Sequence, residues 1–380
     1  MPEPGAPPEI TLVANDIRAE GGMERQLTVL VGGLLDAGHK VTVIAWTCEL
    51  PPHPNLRRLR VPGPSRPYAL GYPLFLLLAS ALVTLRGRGE VHSTGAIVLN
   101  RTAVCTVHFC HHAPGASAVP RASRPTAAHR ANAWVVRRLN LLAERWCYRP
   151  GRATRLVGVS GGIARELGEH FPRMRERIAV IPNGVDTAHF SPAPRPAPEP
   201  GEALRVLFVG GDWERKGLPI LIAALAACPG AELDVVGAGD VEGHRRLARR
   251  HGVEARVHFR GTAADTAPAY RAADVFALPT AYESFSLVTY EAAASGLPLL
   301  ATRVNGIEDL LRDGVNGWFV ERSATDVAAR LRTLRADPAR RREMGAAARR
   351  DSLGFSWRRV VEAYRALYTE IEEERWTTRA

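Results

Sequence analysis

Lysine is almost missing from this 380-residue chain: Lys40 and Lys216 stand against 48 arginines. Where arginine has displaced lysine nearly everywhere, a surviving lysine points to a need for its compact ammonium. That singles out Lys216; Lys40, in "AGHKVTVIA" just before an expected strand, is read as incidental. The five cysteines (Cys48, Cys105, Cys110, Cys147, Cys228) are odd in number and irregularly spaced, which argues against a disulfide framework and for a reducing compartment. The opening "MPEPGAPPEITLVAND" has neither a basic nor an apolar leader region, so export is not expected. No fixed-period repeat or low-complexity tract occurs, which sets aside solenoids and wholesale disorder. Asp-x-Asp is also absent, so the usual carboxylate pair for a nucleotide-bound divalent ion is not expected.

What is present is an ordinary globular composition, 46% apolar and 23% charged, in a chain too long for one core. Two domains are expected. The net charge of +11 is uneven: 23 Lys and Arg face 13 Asp and Glu up to Asp186, a balance of +10. A basic first half suits a polyanionic partner or a solvated surface. The scattered arginines, without aromatic-spaced basic repeats, do not point to nucleic acid. Residues 67–85, "PYALGYPLFLLLASALVTL", run 19 positions without a charge, long enough for a membrane span. Gly71 and Pro73 are expected to break its start, and it lies between two strands expected in one sheet; a buried or membrane-surface helix is the expectation.

Short apolar strands alternate with helical patterns in two stretches, the signature of parallel sheets covered by helices. The first runs from "EITLVAN" to "IAVIPNGVD" and the second from "LRVLFVGG" to "LPLLATR". Between them residues 191–202, "SPAPRPAPEPGE", hold five prolines in twelve positions and read as a linker. The fold class is therefore α/β, with two Rossmann-like halves and a cleft between them where strand ends meet a ligand. The final "SWRRVVEAYRALYTEIEEER" has helical spacing and is expected to pack back on the first domain.

Within the second half, "RVLFVGGDWERKG" puts Arg215 and Lys216 in the loop leaving a strand, where two cations suit a diphosphate. In "AYESFSLVTYEAAASG", Ser284 or Ser286 is expected to cap a helix that Gly296 and Pro298 end, leaving Glu283 in the loop. The amides of Phe285, Ser286 and Leu287 would then face an anion at the helix N-terminus, with Glu291 about 7–8 Å further along. Each carboxylate can accept hydroxyl hydrogen bonds, as a sugar on one side of a phosphate and a ribose on the other require. Two unrelated glutamates, one capping and one on the surface, remain the alternative. In the first half, "AEGGMERQ" sets Gly21 and Gly22 at a strand-to-helix turn open to an anion. "VCTVHFCHH" places His108 at a strand end beside Cys105, Cys110, His111 and His112; the second ligand pair of a zinc site is not visible, so a cleft or core histidine is expected. "VVGAGDVEG" mimics a dinucleotide fingerprint with Gly237, Gly239 and Gly243, but the next strand ends in Arg260 where a ribose-binding acid belongs.

Taken in order, "GGMER", the His108 strand, "VSGGIARELGE", "IPNGVDTAHFSP", "FVGGDWERKG", "VVGAG", "VHFRG", "AADVFALPTAYESFSLVTYEAAASGLPLLAT" and "FSWRRVVEAY" closely resemble the retaining GT-B glycosyltransferases of family four (glycosyltransferases group 1). The likeness covers nearly the whole chain. It implies a GT-B fold of two Rossmann-like domains facing each other across a cleft. Residues 1–190 form the acceptor-side domain, joined by a helix over 356–380, and residues 203–355 bind the nucleotide-sugar. Glu283 would contact donor-sugar hydroxyls, Glu291 the ribose, and Arg215 with Lys216 the diphosphate, helped by the amides after Glu283 and by Gly21 and Gly22. His108 would face the donor sugar and the backbone near Arg260 and Gly261 the base. Two departures stand out: Gly211 where members often carry arginine, and Ser286 in place of the usual glycine.

The function the resemblance implies is a retaining, metal-independent transfer from a nucleotide-sugar, a UDP- or GDP-sugar, with no resident cofactor. The acceptor would be a hydroxyl of a glycolipid, a saccharide or a small natural product. Departing phosphate oxygen would take the acceptor's proton on the same face, with Glu283 as covalent nucleophile the lesser alternative. An anionic membrane surface is a further partner and nucleic acid is not; the location expected is the cytoplasm, at the inner face of the membrane. A nucleotide-sugar epimerase of the same fold is the second enzyme reading. A non-enzymatic anionic-surface-binding protein is the third.

Overall fold

The computed structural model describes residues 7–18, 22–64, 67–113, 127–193 and 202–377. These fall into two compact units: the residues up to Gly184 with those from Trp357 onward, and Val185–Ser356.

In the first unit seven parallel strands are ordered Leu56–Arg60, Val41–Ala45, Ile10–Val13, Glu90–Ser93, Thr102–Val107, Ala153–Gly158, Ile178–Val180. Ile10–Val13 and Thr102–Val107 are buried at every position, as strands covered on both faces must be. The helix Trp357–Thr377 packs here: Val360, Tyr364, Leu367, Tyr368 and Ile371, at helical spacing, join Leu27, Leu30, Val31 and Leu34 in the core. Gly33 permits the approach, because a Cβ there would meet Val361 at 2.5 Å.

One polar chain runs through this core. His92 sits 2.6 Å from the Tyr368 hydroxyl and 2.8 Å from Thr106 Oγ1, which in turn lies 2.8 Å from the Tyr364 hydroxyl. The returning helix is thus tied to the sheet by hydrogen bonds that no water can replace.

Six parallel strands form the second unit's sheet, in the order Val257–Gly261, Ala231–Val236, Leu204–Val209, Val275–Leu278, Leu299–Ala301, Gly317–Phe319. In each sheet the strand order reverses beside the first strand of its unit, and the loops leaving the carboxyl ends there are the ones that meet ligands in such sheets.

Two expectations differ from the structure. The change of unit falls at Gly184–Val185, before the proline run, whose residues 194–201 lie outside the described residues. Residues from Val185 are claimed by the second unit: the Val185 amide donates to Phe355 O at 2.8 Å, and Phe190 packs edge-on against Tyr270. The apolar run is one helix, Tyr68–Arg86, that starts ahead of Gly71 and carries Pro73 inside it. Pro73 is the sixth residue of that helix, so its missing N–H forgoes one intrahelical hydrogen bond, a loss the helix tolerates.

Burial, reinforced by the neighbouring His108, pushes His92 down to about 3 from an ordinary 6.5. Below about pH 6.5 the unfolded chain binds a proton that the folded chain refuses, so stability should fall as pH drops toward 3. Urea unfolding across that range checks the slope, and His92→Gln should flatten it. At neutral pH Tyr368→Phe, which strips His92 of a partner inside the core, should cost about 1–3 kcal/mol in the same assay.

Candidate functional site

In the second unit the strands at the order reversal are Leu204–Val209 and Val275–Leu278. The first runs into Gly210, with φ of +140°, and a Cβ there would sit 2.8 Å from Lys216 Cδ. Only glycine lets the lysine lie across that turn. Arg215 and Lys216 follow on the short turn Trp213–Lys216.

Both cations reach the loop after the second strand. Glu283 Oε1 lies 3.2 Å from Arg215 Nη1 and 3.2 Å from Lys216 Nζ, and accepts from Thr280 Oγ1 at 3.2 Å. Arg215 Nε also donates to Asp212 at 2.8 Å, and its Nη1 to the Tyr282 carbonyl. These side chains are only 11–18% exposed, so removing one leaves a charge uncompensated in a poorly screened place. Burial works to lower the Arg215 pKa, yet the carboxylates of Glu283 and Asp212 hold it above the usual value. Arg322 braces both loops, donating to the Arg215 carbonyl at 3.0 Å and the Pro279 carbonyl at 2.6 Å.

Past Glu283 the helix Leu287–Ala294 begins, with Ser286 at its N-cap. The expected side-chain cap does not form: Ser286 Oγ lies 2.8 Å from Thr289 Oγ1, because a φ of +74° turns the residue into the left-handed region. Glycine adopts that geometry at least cost, so the serine carries strain beside the anion end. Among the described residues the amides of Phe285, Ser286 and Leu287 have no backbone acceptor. Phe285 is buried and stacks on Tyr290 at 4.1 Å, which fixes the loop. Glu291 is the fifth residue of the helix, about 6–7 Å along it. The fully buried Tyr270 donates to Glu291 Oε2 at 2.9 Å.

Arg260, on an outer strand, donates to Asp234 at 2.6 Å, and the Gly261 carbonyl accepts from the Gly237 amide at 2.8 Å. The fingerprint glycines serve packing: a Cβ on Gly237 would meet Gly210 O at 2.3 Å, and one on Gly239 the Trp213 ring at 2.3 Å.

In the first unit His108 Nε2 lies 2.7 Å from Oε1 of the buried Gln26, on the helix Gly22–Asp36. Oε1 only accepts, so His108 donates from Nε2 and keeps a lone pair on Nδ1. Burial lowers its pKa to about 4, so the ring is neutral at physiological pH. Gly22 opens that helix, and Gly21 lies outside the described residues. His108 also lines a cavity of about 160 Å³ with Asn15, Tyr68, Tyr72, Thr94 and Asn140. The cavity lies at this sheet's own order reversal.

The cysteine and histidine cluster resolves differently. Glu144, 2% exposed, takes His111 Nδ1 on one oxygen and His112 Nδ1 on the other, each at 2.7 Å. Burial raises Cys105 to about 11 and Cys110 to about 12, so both stay thiols. Among the described residues no His, Cys, Asp and Glu gather as a metal site.

The structure therefore brings Arg215, Lys216 and Glu283 into contact, with Phe285, Ser286, Leu287 and Glu291 along one loop and helix. Sequence reasoning missed Thr280, Asp212, Arg322, Tyr270 and Gln26. Asp212, three residues before Arg215 in a turn, was the readable signal among them.

Two α/β units with parallel sheets, ligand loops at their order reversals and a cationic pair against a helix N-terminus define the GT-B class of fold. A profile for "Glycosyl transferases group 1" matches residues 203–337, and one for "Glycosyltransferase Family 4" matches residues 20–189. The chain belongs to the family-four, group 1 glycosyltransferases. It is 36% identical over 244 residues to a D-inositol 3-phosphate glycosyltransferase of Geodermatophilus obscurus, covering 58% of this chain and 54% of that protein. It is 35% identical over 235 residues to the protein of that name from an Arthrobacter species, covering 56% of each. The chain thus spans about half the length of the curated relatives it matches. Among solved structures it resembles WaaG, a glycosyltransferase involved in lipopolysaccharide biosynthesis, with a TM-score of 0.75 at 20% identity, covering 95% of this chain and 99% of that one. It also resembles HepE of Anabaena in complex with UDP and glucose, with a TM-score of 0.70 at 19% identity, covering 94% and 98%.

The strained loop gives a contrast. A Cβ on Gly306, at φ +78°, would sit 2.4 Å from the Phe285 Cα, whereas one on Gly252, at φ +68°, meets nothing within 4 Å. Gly306→Ala should cost at least about 2 kcal/mol in urea unfolding, and Gly252→Ala about 1 kcal/mol.

Proposed function

We propose that this chain is a retaining, metal-independent glycosyltransferase that moves a sugar from a UDP- or GDP-sugar to an acceptor hydroxyl. The observation that carries the reading is the convergence of Arg215 and Lys216 on Glu283 beside helix N-terminal amides that have no backbone acceptor among the described residues. Fixed cations and amides are what a departing diphosphate needs when no Asp-x-Asp holds an ion. Lys216 and Arg215 bind the diphosphate, and the amides of Phe285, Ser286 and Leu287 share its charge. Glu291, held by Tyr270, accepts from the ribose hydroxyls, and the backbone near Arg260 and Gly261 meets the base. Glu283 orients the sugar. Its Oε1 is committed to two cations and a hydroxyl, which makes it a poor covalent nucleophile and favours same-face departure, with the leaving phosphate oxygen taking the acceptor's proton.

The curated relatives are named for D-inositol 3-phosphate. Among the described residues that line the first unit's cavity there is no lysine or arginine, which supports a hydroxyl-bearing group without phosphate, on a glycolipid, a saccharide or a small natural product. Tyr68 and Tyr72, stacked at 5.4 Å, offer such a ring an aromatic wall. His108 stands at the same cavity as a neutral acceptor on the sugar side. The free cysteines support a cytoplasmic location, and we place the work at the inner face of the membrane.

Purified protein is tested with UDP- and GDP-sugars and hydroxylated acceptors. Lys216→Ala and Glu283→Ala should each lower transfer by about 100-fold or more, with EDTA leaving the wild-type rate unchanged. Near wild-type transfer by both variants would contradict the assignment, and inactivation by EDTA with rescue by a divalent ion would contradict the metal-free part. Donor conversion with no acceptor present would point to the epimerase.

A further inference from the structure

We propose that the neighbouring helices Tyr68–Arg86 and Ala127–Cys147 present a docking face for an anionic lipid bilayer. The proposal deepens the membrane part of the reading above, while resting on the first unit's surface alone. Among the described residues eleven large apolar side chains are exposed, and eight of them lie on these two helices. On the first helix Leu70, Leu74, Leu77 and Leu85 form an outward stripe at helical spacing, opposite the buried Tyr72, Phe75, Ala79 and Val83. Leu70 is 69% exposed and Leu77 60%. A soluble helix normally turns polar residues to water, and between Leu70 and Leu85 the one exposed polar side chain is Thr84.

Spanning does not explain the stripe. The strands on either side of the helix, Leu56–Arg60 and Glu90–Ser93, belong to one sheet, so both helix ends return to the same side. The helix must lie along a surface.

The second helix says which surface. Its exposed face bears Trp134, Leu142 and Trp146, interleaved with Arg137, Arg138 and Arg145. Arg138 sits over the Trp134 ring at 5.3 Å, and Arg149 and Arg152 over Trp146 at 4.0 and 4.3 Å. Tryptophan rings beside arginine suit the headgroup layer, where apolar faces meet anionic phosphate. The first helix carries no acid, and among the described side chains of the second the only acid is Glu144, buried and committed to His111 and His112. A second copy of the chain would bring these cations against each other, whereas an anionic bilayer neutralises them.

Flotation of the full chain is measured with phosphatidylcholine vesicles that contain phosphatidylglycerol, against pure phosphatidylcholine, at low and high salt. Binding is expected only with phosphatidylglycerol, with a blue shift of tryptophan emission. Leu70→Glu with Leu77→Glu, Arg137→Glu with Arg138→Glu, and high salt should each weaken binding about tenfold or more. Val315→Glu, in the second unit, should bind as wild type, and unchanged melting temperatures verify that the variants fold. Absence of wild-type flotation, or full flotation of the leucine double variant, would overturn the proposal. So would self-association in sedimentation that the leucine variant abolishes without any vesicle binding, which would give the face to a second copy. Transfer to a water-soluble acceptor separates this result from the donor-site reading, since the face variants should keep it.

Discussion

Glu283 accepts from Arg215 and Lys216 across two loops that leave neighbouring strands, and the order of the second unit's ligand edge depends on that pairing. Two cations held close together repel each other and lose hydration; a single carboxylate between them offsets both costs and presets their positions. The surrounding choices follow from the need to keep this triad in place. Gly210 leaves room for the lysine, Gly217 clears the Pro279 carbonyl, and Arg322 ties the two loops through their carbonyls. On the proposed donor reading, an incoming diphosphate would meet cations already fixed, so little ordering would be left to pay at binding.

The sequence made much of this readable, for identifiable reasons. Alternating strands and helices, the scarcity of lysine and the order of the motifs pointed to two Rossmann-like units and to Lys216. The loop position of Glu283 and the helix position of Glu291 followed from turn and stop residues. What was hidden is what depends on contacts between distant segments. Tyr270 lies 21 positions from the Glu291 it holds, and Gln26 lies 82 positions from His108. Neither pairing leaves a local pattern. The substitution of serine for glycine at 286 was visible, but its left-handed backbone was not, and that geometry redirects the hydroxyl to Thr289.

Boundaries were misplaced for a similar reason. A proline run marks where regular structure stops, yet the unit to which a segment belongs is decided by what covers its backbone and its apolar side chains. Val185 pairs with Phe355, and Phe190 packs on Tyr270, so the second unit begins before the prolines. At the other end Trp357–Thr377 returns to the first unit because His92 and Gly33 are shaped to receive it. In the same unit the charge excess has a structural address. Part of it lies on the helix Ala127–Cys147, whose exposed side chains include Arg137, Arg138 and Arg145 beside Trp134, Leu142 and Trp146.

The most direct test of the central claim is calorimetric titration of the wild type and Lys216→Met with UDP, GDP and their sugar conjugates. A saturable heat with one nucleoside diphosphate sugar, weakened at least about tenfold in the variant, is the predicted result. Absence of binding by any of these nucleotides, or equal affinity in the variant, would contradict it.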